Sequence, residues 1–215
     1  MVSALLPLAI VFGLFWGIHA YGASMLPVDS RPAAYRAPDA VRRQYLGIES
    51  SITGFPKLNP VTVWWNIHLT RNDGVRRDQL QLLGQASRIL NARQPAHSST
   101  IRYQAAGVAG MVMISREWSF DEAVDTVIGE SWYGRGAKGI EAASLAYFDA
   151  PLSSLHPEET LALLVLLRGP SYYDPVCRRE RFEDRYSAMA ERLHMDMGRA
   201  GAGKATARML PATCD

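Results

Sequence analysis

The sequence predicts an all-α fold, and three observations lead to that prediction. Apolar residues recur at helical spacing in several separate segments, capping residues precede some of these segments, and no segment alternates as a half-buried strand does. Of the 215 residues, 48% are hydrophobic and 20% are charged, which is typical of a folded domain. The net charge of +2 is too small to indicate a nucleic-acid partner.

The first 23 residues form the most apolar segment of the chain. None of residues 4–18 is charged or strongly polar, and His19 is the one interruption before Ala23. Because about 20 helical residues cross the ~30 Å hydrocarbon layer, the segment is just long enough for a membrane anchor. A cleaved signal peptide is the alternative, since Ala20 and Ala23 are small, although no Lys or Arg precedes the apolar run.

Polar residues and prolines in residues 24–37 indicate a linker. A helix is expected from Pro38 to about residue 50, with Val41, Tyr45 and Ile48 on one face.

Whether the N-terminal segment is a retained anchor or a cleaved signal peptide, the rest of the chain is expected to lie beyond the inner membrane. Four arginines in this region argue mildly against that orientation, because positive charge prefers the cytoplasm; they are Arg31, Arg36, Arg42 and Arg43.

Further helices are predicted at about residues 78–92, 99–116, 119–128, 139–148, 157–167 and 177–197. Small residues dominate positions 105–110, and because glycine costs ~1 kcal/mol in a helix, such a row indicates the close approach of another backbone. These segments predict one helical domain over residues 38–198, followed by a loose tail over residues 199–215. Cys177 and Cys214 either pair in an oxidising compartment and pin that tail, or remain two free thiols.

Several motifs of known chemistry are absent from the sequence. There is no phosphate-binding glycine loop ahead of a lysine and serine, no Cys or His pair at metal spacing, and no Gly-x-Ser-x-Gly elbow. The five histidines are scattered. Nucleotide hydrolases with that loop, such metal enzymes and serine hydrolases of the elbow type are therefore disfavoured.

The informative stretch is residues 119–175, which read SFDEAVDTVIGESWYGRGAKGIEAASLAYFDAPLSSLHPEETLALLVLLRGPSYYDP. This stretch resembles the C-terminal half of the family 51 transglycosylase domain of penicillin-binding proteins. The residues that carry the resemblance are Gly134, Gly136, Gly139, Ile140, Ala142, Ala143, Tyr147, Phe148, Leu155, Glu159, Pro170, Ser171, Tyr173, Asp174 and Pro175. They follow the family's fixed order over ~55 residues, which makes the match specific.

The resemblance implies a lysozyme-like helical domain that polymerises a lipid-linked disaccharide (lipid II) in bacterial cell-wall synthesis. Its implied partners are that disaccharide, the nascent glycan chain, the membrane and other cell-wall synthesis proteins. It implies a single-pass protein of the inner membrane with its folded domain on the periplasmic or extracellular side. It leaves a divalent cation such as Mg²⁺ open and implies no other cofactor.

Carried over residue by residue, the resemblance makes Glu49 the candidate catalytic base. Gln85 and Arg102 lie near two further motifs of the family and are candidates for substrate binding. The reaction needs a carboxylate as its general base, which is the role given to Glu49. It also needs positive charge to stabilise the departing pyrophosphate. Arg135 and Lys138, in the glycine-rich turn, are the candidate cations for that role.

The sequence also departs from the family pattern. Ser50 stands where an aspartate follows the catalytic glutamate, the serine-threonine step before Gln85 is lost, and no acidic residue lies between Arg102 and Glu117, although the second glutamate should fall near Gly107. A catalytically degenerate relative, acting as a scaffold that binds lipid II or a synthase, is therefore the alternative function. A lytic enzyme with a glutamate acid is a third.

Overall fold

The computed structural model describes residues 2–48, 52–69, 74–94, 99–195, 198–211 and 214. Two compact units make up the chain: Met1–Ala34 with Ile52–Val127, and Tyr35–Ser51 with Ile128–Asp215. Both are mostly helical, so the predicted all-α class is confirmed in its main feature.

The first unit is built around one central helix. Its helices are α1 (Val2–Ala23), α3 (Thr62–Leu69), α4 (Gly74–Asn91), α5 (Thr100–Glu117) and most of α6 (Phe120–Glu130); α2 (Asp39–Ile48) belongs to the second unit. The central helix α5 packs against both α1 and α4. Among the residues the structure describes, no helix is both long enough and apolar enough to cross a membrane.

The predicted starts of α5 and α6 are confirmed by their caps, whereas α4 begins at Gly74, four residues before the predicted start. The Ser99 side chain accepts a hydrogen bond from the backbone N–H of Arg102 (3.3 Å) at the start of α5. Ahead of α6, Ser119 Oγ accepts from the N–H of Glu122 (3.2 Å), and Glu122 Oε2 accepts in return from the N–H of Ser119 (2.8 Å). This reciprocal pair satisfies two donors that a helix start otherwise leaves unpaired.

The row of small residues in α5 does mark close helix packing, as predicted. A Cβ on Gly22 of α1 would collide with the carbonyl oxygen of Ala105, and a Cβ on Gly110 would collide with Ser87 Oγ of α4. Larger side chains at these contacts would hold the helices apart.

Gly107 and Gly110, one turn apart on α5, give a matched test of that packing. The nearest atom to a Cβ on Gly107 is Asn91 Nδ2 at 3.8 Å, an ordinary contact. We expect Gly107→Ala to raise the free energy of unfolding by ~0.5–1 kcal/mol, because alanine favours the helix. Gly110→Ala should lower it by ~1–3 kcal/mol through overpacking against Ser87. Urea denaturation followed by circular dichroism measures both, and equal shifts of one sign would contradict the packing argument.

The second unit surrounds an apolar central helix. Its elements are α2 (Asp39–Ile48), an antiparallel hairpin of β1 (Trp132–Gly134) and β2 (Ala137–Lys138), α7 (Ile140–Phe148), a 3₁₀ turn (Leu152–Ser154), α8 (Pro157–Leu166), α9 (Arg179–Arg192) and α10 (Gly198–Arg208). Residues 161–166 of α8 are all buried, which confirms its predicted place in the core. The hairpin was not predicted, since strands of three and two residues are too short to show alternation.

The predicted looseness of the chain after Gly198 is wrong. Residues 198–208 form α10, which packs on α8 and α9 and buries Gly201, Ala202 and Ala205. These small residues carry no apolar stripe that a sequence pattern would detect, but they let the backbones come close. The two cysteines are paired, Cys177 with Cys214 at a sequence separation of 37, so the tail is pinned as one of the two alternatives proposed.

A buried carboxylate ties α10 to the core. Glu159 is only 2% exposed; its Oε2 accepts from the N–H of His156 (2.8 Å), and its Oε1 lies 2.6 Å from Arg208 Nη1. The Arg208 contact is an ion pair without hydrogen-bond alignment, because Oε1 has no hydrogen-bond partner among the described residues. The same helix carries a surface pair, Arg199 Nη2 with Asp184 Oδ1 at 2.5 Å.

The two arginines should differ in their contribution to stability. We expect Arg208→Met to lower the free energy of unfolding by ~2–3 kcal/mol, because it leaves the Glu159 charge buried without its partner; the half-exposed guanidinium keeps the cost below that of a fully buried pair. Arg199→Met removes only a solvated pair and should cost under ~1 kcal/mol. Thermal unfolding of the two variants measures the difference, and a smaller cost for Arg208 would refute the role assigned to Glu159.

Candidate functional site

The predicted site residues are divided between the two units. Gln85 on α4 and Arg102 on α5 belong to the first unit, and Arg135 and Lys138 in the hairpin belong to the second. Glu49, the predicted base, lies outside the described residues.

The segment that leads to Glu49 is helix α2, which ends at Ile48. Helix α2 buries Val41, Tyr45 and Ile48, the face that the sequence predicts. At its last residue, Arg192 Nη1 of α9 donates a hydrogen bond to the carbonyl oxygen of Ile48 (2.9 Å). A cation at a helix C-terminus satisfies an unpaired carbonyl and interacts favourably with the helix dipole. Sequence reasoning missed Arg192, because 144 residues separate it from Ile48.

In the first unit, Gln85 and Arg102 have different surroundings. Gln85 is buried within the core-facing side of α4. Arg102 is exposed, and its Nε donates to the Tyr21 hydroxyl near the end of α1 (3.3 Å). The guanidinium of Arg102 therefore lies beside the last turn of the apolar N-terminal helix.

Near Gly107, where the family's second glutamate is expected, the structure has polar groups but no acid among the described neighbours. Ser87 Oγ donates to the carbonyl oxygen of Gly107 (2.7 Å). The side-chain amide of Asn91 is buried, and its Nδ2 and Oδ1 have no hydrogen-bond partner among the described residues. Burying an amide without hydrogen-bond partners costs free energy. The surroundings of Gly107 are therefore polar, but the hydrogen bonds of the Asn91 amide are not satisfied by the described residues.

In the second unit, the hairpin turn depends on glycines. Gly134, Gly136 and Gly139 all have positive φ (86°, 74° and 84°), and Arg135 between them has φ 50°. A Cβ on Gly139 would collide with the carbonyl oxygen of Gly129 at the end of α6. The glycine spacing recognised in the sequence is therefore a backbone requirement of the turn.

The two predicted cations of this turn make different contacts. The Arg135 guanidinium stacks over the Tyr147 ring (4.2 Å to the ring centre), and its Nη1 donates to the carbonyl oxygen of Leu210 (2.8 Å). Its Nε and Nη2 are buried without a hydrogen-bond partner in the described part of the chain. Lys138 is exposed and lies 3.6 Å from Glu130 Oε2. Lys138 is thus the more accessible of the two.

Two buried tyrosines hold the hairpin in place. The Tyr133 hydroxyl donates to the carbonyl oxygen of Ile128 (3.0 Å), and the Tyr147 hydroxyl donates to the carbonyl oxygen of Tyr133 (2.8 Å). Burial raises the pKa of Tyr133 well above its usual value and raises the pKa of Tyr147 to about 12. Both phenols therefore stay protonated at neutral pH and serve as hydrogen-bond donors in the scaffold.

No group of three or more His, Cys, Asp or Glu side chains within the described ranges is placed to hold a metal ion.

Comparison with known proteins agrees with the resemblance seen in residues 119–175. A family model described as "Transglycosylase" matches residues 82–194, more than half of the chain. Penicillin-binding protein 1A of Mycolicibacterium smegmatis is 29% identical over 131 residues, which cover 56% of this chain and 17% of that protein. Penicillin-binding protein 1A of Mycobacterium tuberculosis is 40% identical over 74 residues, which cover 34% of this chain and 9% of that protein. Penicillin-binding protein 1F of Bacillus subtilis is 26% identical over 89 residues, which cover 41% of this chain and 12% of that protein.

The chain thus spans less than a fifth of the length of these relatives. The matched region runs from α4 through α9 and includes the glycine turn, the capped start of α6 and the apolar α8. This chain belongs to the transglycosylase family.

Proposed function

We propose that this protein is a peptidoglycan glycosyltransferase that polymerises lipid II. The observation that carries the proposal is the family match over residues 82–194, which spans the glycine turn. It is supported by the retained carboxylate, Glu49, directly after α2.

In the proposed reaction, the 4-hydroxyl of lipid II attacks the anomeric carbon of the growing chain. A new glycosidic bond forms, the bond to the lipid pyrophosphate breaks, and Glu49 accepts the hydroxyl proton. The pyrophosphate leaves with its negative charge, which fixed cations stabilise. Lys138 suits this role because it is exposed. Arg135 suits it less well, since its guanidinium is already bound to Tyr147 and Leu210.

Arg102 and Gln85, both in the first unit, are the other two residues that the resemblance assigns to substrate binding. Arg102 is exposed beside Tyr21 of α1, so a lipid-linked pyrophosphate held near the end of that helix would meet a guanidinium that grips phosphate in two places. Gln85 is buried, which favours a role in holding the α4 backbone over direct contact with the sugar.

We further propose, from the full sequence and not from the described helices, that the N-terminal apolar segment is a single-pass anchor in the inner membrane and that the folded domain faces the periplasm. The support is the uncharged run over residues 4–18, together with exposed apolar side chains such as Ile10, Leu14 and Trp16. The disulfide between Cys177 and Cys214 agrees with an oxidising compartment.

The hydrogen bond from Arg192 to the carbonyl oxygen of Ile48 supports a positioning role for Arg192, because it holds the residue next to the proposed base, Glu49. We expect Arg192→Met to lower kcat about tenfold while KM changes less than about twofold, since only the placement of the carboxylate changes. Arg192→Lys should recover part of the loss. Arg179→Met on the same helix breaks only the surface pair with Glu183 and is the control. A loss seen equally in both variants would argue against positioning.

The function itself is tested with purified full chain and fluorescent lipid II. Formation of glycan polymer on a gel supports the transferase. The scaffold alternative is favoured by the missing second acid near Gly107 and by the loss of the serine-threonine step before Gln85. Tight lipid II binding without polymer would support it instead, and release of soluble muropeptides from isolated cell wall would support a lytic enzyme.

A further inference from the structure

A cavity of about 540 Å³ lies inside the second unit, between the first half of α2, the 3₁₀ turn, the start of α8 and the residues after α9. Its lining includes Val41, Arg43, Gln44, Leu152, Ser153 and Met195. Of the four described candidate site residues, none lines it. Its size falls within the ~300–1,000 Å³ range of small-molecule sites, so it is large enough to hold a ligand.

The chemistry of the lining favours a flexible chain over a ring. The apolar lining residues are all aliphatic or methionine, and no aromatic face is present among them on which a planar ring could stack. Met195 adapts to irregular shapes because its side chain is unbranched. At about 30 Å³ per water-sized group, the volume accommodates roughly 18 methylene-sized groups. A single aliphatic chain of about 12–16 carbons fits this space.

The cavity has one charged end. Arg43 is the only charged residue in the described lining; it is exposed, whereas Val41 and Leu152 are buried. The nearby acid Asp39 faces Arg42 at 3.9 Å and is 88% exposed. A guanidinium binds a carboxylate through two parallel hydrogen bonds, so Arg43 at the mouth is suited to an anionic head group.

The wall beside Arg43 is closed by its neighbour on α2. Gln44 Nε2 donates to the carbonyl oxygen of Pro157 (2.9 Å) and contacts Met195 Sδ (3.8 Å). This side chain is therefore engaged with the protein, as is Thr160 through its bond to the carbonyl oxygen of His156, which leaves the Arg43 guanidinium and the smaller Ser153 hydroxyl as the exposed polar groups of the lining. We infer that the cavity binds a long-chain fatty acid, with its carboxylate on Arg43 and its chain between α2 and α8.

The inference is tested by titrating the full chain, kept in amphipol, with sodium decanoate and dodecanoate below their micelle concentrations. Isothermal calorimetry should show saturable 1:1 binding that strengthens about fourfold per added methylene, because each one buries apolar surface. Dodecan-1-ol, which has the chain without the charge, should bind about tenfold more weakly than dodecanoate.

Two variants locate the binding. Arg43→Gln should weaken dodecanoate about tenfold, while Arg42→Gln, one residue away and outside the lining, should stay within about twofold. Ser153→Trp at the exposed mouth should block the cavity. Circular dichroism checks that each variant is folded. Absence of saturable binding, or binding unaffected by Arg43→Gln and Ser153→Trp, would overturn the inference; the latter result would mean that the chain binds elsewhere, for example on α1.

Discussion

Glu49→Gln is expected to lower the rate of lipid II polymerisation by about 10²–10⁴-fold, which is the usual contribution of a general base. Glutamine keeps the size and polarity of the side chain but cannot accept the hydroxyl proton. Binding of lipid II should therefore remain within a few-fold of the original protein. Gel-resolved polymer formation measures the rate, and fluorescence anisotropy with labelled lipid II measures the binding.

The control for this variant is Glu180→Gln, which removes an exposed carboxylate at the start of α9. It should leave the rate unchanged. If Glu49→Gln polymerises as fast as the original chain, Glu49 is not the base. If neither protein makes polymer while both bind lipid II tightly, the scaffold function is favoured.

Gly139→Ala should destabilise the domain by about 3–5 kcal/mol. Two costs add at this position: φ of 84° is unfavourable for a residue with a Cβ, and that Cβ would collide with the carbonyl oxygen of Gly129. The collision is with backbone, so no flexible side chain can move aside. Because the N–H of Gly139 also donates to the carbonyl oxygen of Ser131 (2.8 Å), a shift of the turn would weaken a hydrogen bond as well.

Gly136→Ala separates the two costs. Its φ of 74° is similarly unfavourable, but a Cβ there meets no atom within 4 Å. It should therefore cost only about 1–2 kcal/mol. Urea denaturation of both variants measures the difference, and equal losses would show that the approach to Gly129 does not constrain the turn.

The local elements of this fold were predictable from the sequence. The Val41, Tyr45 and Ile48 face of α2, the Ser119 and Glu122 cap of α6 and the apolar core of α8 all appear as predicted. Each depends on residues within one or two turns of one another, so spacing along the chain carries the information. The glycine-rich turn was recognised for the same reason, since its three glycines fall within six residues, although the two short strands that flank it were not predicted.

The surroundings of the candidate site were less predictable. Arg135 and Lys138 were assigned equivalent roles from the sequence, yet one guanidinium is held by Tyr147 and Leu210 and the other side chain is exposed. Arg192 beside Ile48 was not foreseen at all. These differences arise from contacts between residues far apart in the chain, which no local pattern encodes.

By itself, the sequence determined the helical class, most of the helices, the family and a short set of candidate residues. Only the tertiary structure decided that α10 is a packed helix, that Cys177 pairs with Cys214, and which cation of the turn stays accessible. The physical reason is that helix periodicity and capping are written in neighbouring residues, whereas burial, ion pairing and side-chain access depend on which distant segments pack together.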